Sequence, residues 1–119
     1  MLENLRQKVK NFVDKVSSNG QFSRDKGKYV FDRNRGAYPG SFVPVESIKG
    51  PLEPKDLVLT YTVFPKSTYK KGFILELEQF GKPVTEPIID TMYFDGRSNE
   101  DYYNAIDEMR RIAGDHVID

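Results

Sequence analysis

Between residues 22 and 38 the chain interleaves cations with aromatic rings. Arg24, Lys26, Lys28, Arg33 and Arg35 alternate with Phe22, Tyr29, Phe31 and Tyr38. Cations track a phosphate backbone and flat rings stack on bases, so this pattern fits a single-stranded nucleic-acid binder. A second basic stretch, PKSTYKKG, supplies Lys66, Tyr69, Lys70 and Lys71 and could extend the same groove. Two facts weigh against it. The net charge is zero, where a nucleic-acid binder is usually basic, and about half of the rings should turn into a core.

Carboxylates come next. Glu76 and Glu78 share one face of an expected strand, and Asp90 falls on an expected neighbour. Clustered carboxylates can hold a divalent cation or do acid–base work, which makes a metal-dependent hydrolase a distant option. Alternating Glu on a wet strand face is the plainer reading. The chain has one histidine, His116, in its tail and no cysteine. That leaves no thiol nucleophile and gives a zinc–thiolate or His-paired site no support. Gly20 to Lys28 and Gly81-Lys82 lack the spacing of a phosphate-binding loop. No catalytic set and no cofactor site is therefore expected.

The charge is unevenly spread. Residues 1–40 hold nine Lys/Arg against four Asp/Glu, net +5; residues 41–119 hold nine against fourteen, net −5. Opposed regions of this size favour contacts between copies or with a charged partner. The leading expectation is a non-enzymatic protein–protein interaction or assembly subunit, associating with itself or another protein. The single-stranded nucleic-acid binder is the alternative.

The elements that must position these residues follow from periodicity. Asp56 to Phe80 reads as two strands joined by the polar PKSTYKKG loop. Leu57, Leu59, Tyr61 and Val63 share one face, and Phe73, Leu75 and Leu77 alternate with Glu76 and Glu78. Leu2, Leu5, Val9, Phe12, Val13 and Val16 recur at helical spacing, so an N-terminal helix is expected. Lys28–Asp32, Ser41–Ile48 and Ile88–Phe94 read as further strands. Pro44 marks Ser41–Ile48 as an edge, while the mixed faces of Ile88–Phe94 suit a central strand. Tyr102, Ala105, Ile106, Met109, Ile112 and Ala113 form a second helical stripe, with Ser98 as its expected N-cap and Gly114 as its stop.

The expected architecture is α+β in one domain, 1–119: N-terminal helix, antiparallel sheet of four to five strands, C-terminal helix, with both helices packed on one sheet face. No apolar run reaches the ~20 residues a membrane-spanning helix needs, and the first ten residues do not resemble an export signal. A soluble cytoplasmic protein without a membrane partner is expected.

Overall fold

The computed structural model describes residues 26–117. Six strands and one α-helix follow in order: β1 (Lys26–Phe31), β2 (Phe42–Pro44), a single 3-10 turn (Val45–Ser47), β3 (Val58–Pro65), β4 (Lys70–Gln79), β5 (Lys82–Pro83), β6 (Ile88–Tyr93) and α1 (Glu100–Asp115). All pairings are antiparallel. The order is β2-β1-β3-β4, and the far edge of β4 is shared by β6 along its first half and β5 at its end.

This corrects the expected architecture. Among the described residues there is one helix, at the C-terminal end, and the sheet has six strands rather than four or five. The expected N-terminal helix falls on residues 2–16, outside the described residues. Among the described residues a single helix therefore covers the core face, and the described fold is mostly sheet.

The centre of the sheet follows directly from alternation. Leu59 pairs with Leu77, Tyr61 with Leu75 and Val63 with Phe73, so these side chains share the core face. Thr60 pairs with Glu76 and Val58 with Glu78 on the outer face. Helix α1 lays Tyr102, Ala105, Ile106, Met109 and Ala113 onto the core face, where all five are buried. The Tyr102 ring meets Phe73 edge-on at 5.4 Å and Tyr61 at 6.1 Å, locking the first helical turn to the two long strands. On the outer face Val30, Val43 and Ile48 form a smaller cluster beside the 3-10 turn.

Three local expectations change. Ser98 does not cap α1: it sits at φ 35°, and the N-cap position is Asn99, whose side chain makes no cap hydrogen bond. Asn99 Oδ1 instead accepts the Tyr93 N–H at 2.7 Å. Gly114 lies inside the helix, which runs on to Asp115. And β6 is an edge strand among the described residues, not a central one, since its one described neighbour is β4. Its outward N–H groups at Thr91 and Tyr93 are taken by Asp90 Oδ1 and Asn99 Oδ1, which blunts the edge against pairing with another strand.

Candidate functional site

The arginines of the first basic segment, Arg33 and Arg35, and the lysines of the second lie at opposite ends of the sheet. The 33–40 loop follows the end of β1 beside Val58, and the 66–69 turn follows the other end of β3. Eight strand residues, about 24 Å at 3.4 Å per residue in register, separate them.

At the first end the cations are locked. Asp56 is fully buried at its side chain, and Arg33 keeps 6 % of its side-chain exposure. Arg33 Nε and Nη2 both donate to Asp56 Oδ1, at 3.1 and 2.9 Å, and Nη2 also reaches Glu53 Oε1 at 3.2 Å. Arg35 Nη2 donates to Asp56 Oδ2 at 2.6 Å, and the Glu53 N–H donates to the same oxygen at 2.7 Å. Burial alone would raise the Asp56 pKa. The Glu53 N–H and the two guanidiniums outweigh it and hold the carboxyl below its ordinary range. The neighbouring Asp32 accepts backbone N–H groups from Arg35, Gly36 and Tyr38, and so shapes the loop that delivers both arginines. Gly36 is needed there, because a Cβ would stand 2.8 Å from Asp32 Oδ2.

At the second end the lysines are open. Tyr69 and Tyr93 stack with ring centres 6.2 Å apart and planes 16° apart. The Arg97 guanidinium lies 5.0 Å from the Tyr93 ring and 6.0 Å from the Tyr69 ring, and Lys70 Nζ lies 5.3 Å from Tyr93. Lys71 Nζ lies 5.2 Å from Phe94. Tyr69 is 52 % exposed and Phe94 51 %. Among the described residues no carboxylate pairs with Lys66, Lys70 or Lys71, whereas Arg97 Nε is held by Asp95 at 2.9 Å. The Arg97 N–H and guanidinium in turn keep the Asp95 carboxyl below its usual range.

The outer face continues from this end. Lys26, Thr62, Ile74 and Ile89 form one cross-strand row, and Lys28, Thr60 and Glu76 the next. Ile89 is 64 % exposed. Phe64 lies over Gly72, where any Cβ would strike its ring, so the glycine leaves room for an aromatic on the sheet surface.

Of the residues singled out in the sequence, Lys66, Tyr69, Lys70 and Lys71 therefore gather at one end. Lys26 and Lys28 lie on the outer face of β1. Tyr29 is buried in the core, Tyr38 is exposed on the distant 33–40 loop, and Arg33 and Arg35 face Asp56. Arg24 lies outside the described residues. Tyr93, Phe94 and Arg97 were missed. Their signal was a ring pair and an arginine at a strand end, which joins the basic loop only once Lys70 is known to pair with Tyr93.

The carboxylate reading is not supported by the geometry. Glu76 and Glu78 lie on the outer face, while Asp90 pairs with Phe73 on the core side and accepts the Thr91 N–H. Among the described residues no group of three His, Cys, Asp or Glu could hold a metal ion. A groove of about 360 Å³ beside the arginine lock is lined by Glu53, Asp56, Glu78 and Phe80, and its buried acid is already engaged by Arg33 and Arg35. Among the described residues no helix is long and apolar enough to cross a membrane.

Comparisons with protein-family models, with curated proteins and with solved structures gave no match.

Proposed function

We propose that this chain is a non-enzymatic interaction domain that contacts its partner through the end of its sheet carrying Tyr69, Tyr93, Phe94 and Arg97. One observation carries the reading: the exposed Phe94 ring lies under Lys71, and the exposed Tyr69 ring stacks on a Tyr93 that lies under Lys70 and Arg97, all outside the core that holds the fold together. Aromatic residues and arginine are over-represented in contact surfaces because they offer area and polar edges at low ordering cost. The nearby outer face adds Ile89 and Phe64 to that surface.

The reading is tested by changing the rings together. A Tyr69→Ala, Phe94→Ala, Ile89→Ser triple variant should stay folded, within about 1 kcal/mol of the parent in urea unfolding, because surface changes away from packed features have small effects. The same variant should lose association measured by sedimentation velocity for a second copy and by fluorescence anisotropy for nucleic acid. A variant that unfolds, or one that associates as the parent does, contradicts the reading.

Self-association is the second reading. It is favoured by Glu100 and Asp101, exposed in the first turn of α1, which give the Lys66–Lys71 loop of another copy an acidic counterpart. Its mark is a sedimentation coefficient that rises with protein concentration and falls with salt.

A further inference from the structure

We infer that the partner of the Tyr69 end is a single-stranded nucleic acid, an inference that rests on the interaction reading above and names its ligand. The surface combines two properties that a polyanion with flat, unpaired rings would use together. Lys66, Lys70 and Lys71 have no described carboxylate to neutralise them, so positive charge is left for phosphates. Tyr69 and Phe94 keep about half of their surface open beside those charges. The cations are set at 5.0–5.3 Å from the ring centres, Lys70 and Arg97 at Tyr93 on the outer side of the sheet end and Lys71 at Phe94 on its core side, so a ring and a cation are paired on each side before any ligand arrives.

A duplex presents its bases stacked and hidden, so it would meet the lysines and leave the rings unused. A single strand that crosses the sheet end can lay a base on Tyr69 and another on Phe94 while its phosphates meet Lys66, Lys70 and Lys71. From that surface the outer face leads on past Thr62 to Lys26, a cation in the same cross-strand row as Ile74. A strand longer than the loop itself therefore has a path across the sheet. The arginine lock, at the far end, takes no part.

The test uses the full chain and a fluorescein-labelled thymidine oligonucleotide of about 15 nucleotides, read by anisotropy. Three neutralised phosphates predict a slope of log K against log salt of about −2.1, or roughly a twenty-fold loss between 50 and 200 mM. Lys70→Ala with Lys71→Ala should flatten that slope by about 1.4. Tyr69→Ala should weaken binding roughly tenfold with little change of slope, because a stacked ring carries no charge. Lys49→Ala with Lys82→Ala, lysines away from this end, should bind as the parent does. A duplex of the same length should bind more weakly and be indifferent to Tyr69→Ala.

Equal loss from the distant lysine pair, or no effect of Tyr69→Ala on the single strand, overturns the inference. Absence of oligonucleotide binding also overturns it. If the chain then self-associates, and Tyr69→Ala with Phe94→Ala abolishes that, the interaction reading survives without nucleic acid. If neither ligand nor second copy binds, both fall.

Discussion

Two clusters of positive charge stand at the two ends of one sheet, and they have opposite fates. Arg33 and Arg35 face a buried carboxylate, and their charge is consumed inside the molecule. Lys71 rests on the exposed Phe94 ring and Lys70 on the half-buried Tyr93 ring, and both charges still reach solvent; Arg97, also on Tyr93, is paired only with an exposed Asp95. The two are alike in sequence: cations interleaved with aromatics. The difference lies in what the fold places opposite them. Asp56 arrives from a proline loop more than twenty residues beyond Arg33, and it converts a binding motif into a structural tie. At the other end the residues that arrive are Tyr93 and Phe94, which hold cations without neutralising them.

The sharpest way to break this comparison is to remove one member of the lock. Arg33→Ala, or Asp56→Asn, should destabilise the fold by about 3 kcal/mol in urea unfolding, since each breaks the buried Arg33–Asp56 pair by removing one charge. The pH dependence follows with a definite sign. The folded Asp56 carboxyl titrates below its unfolded value of about 3.9, so its contribution is complete above that pH. It is lost as pH falls through the lower folded value. Stability of the parent should drop steeply below pH 4, and Asp56→Asn should lack that part of the drop.

A smaller effect is expected from the loop that delivers the arginines. Gly36→Ala would press a methyl against an Asp32 carboxylate that already accepts three backbone N–H groups, and should cost about 1–2 kcal/mol by thermal unfolding. At the edge of β6, Asn99→Ala removes the acceptor of the Tyr93 N–H and should cost about 1 kcal/mol. Combined with Asp90→Ala it unblocks two edge donors, and sedimentation velocity should then reveal a new dimer formed by edge pairing. The smallest effect belongs to the open end. Tyr69→Ala should change stability by less than about 1 kcal/mol, the range of an exposed cation–π contact. A loss of several kcal/mol there would erase the distinction between the two clusters.

The strands were legible where alternation was clean. Leu57 to Val63 and Phe73 to Leu77 signal their faces directly, and Pro44 correctly marks an edge because it has no N–H to donate. The edge position of β6 was hidden. Its mixed pattern reflects Met92 turned to the core beside an exposed Ile89 on the open face, which imitates a strand covered on both sides. The Ser98 cap failed because Asn99, one residue on, has a competing acceptor role on β6, and local capping preference carries no knowledge of that distant N–H. The binding residues were half legible. Lys66 to Lys71 stood out by composition. The fate of Arg33 and Arg35 required knowing that Asp56 folds over them, a contact that no local pattern encodes.

The central claim is that equal-looking cations are locked in a buried ion pair at one end and left facing water at the other. Guanidinium proton exchange, followed by nitrogen-edited NMR at neutral pH, reads this directly. The Arg33 Nε–H, bonded to a buried Asp56, should give a sharp and slowly exchanging signal, while the Arg97 Nε–H, bonded to an exposed Asp95, should exchange faster with water. Equal exchange at Arg33 and Arg97, or faster exchange at Arg33, would contradict the account.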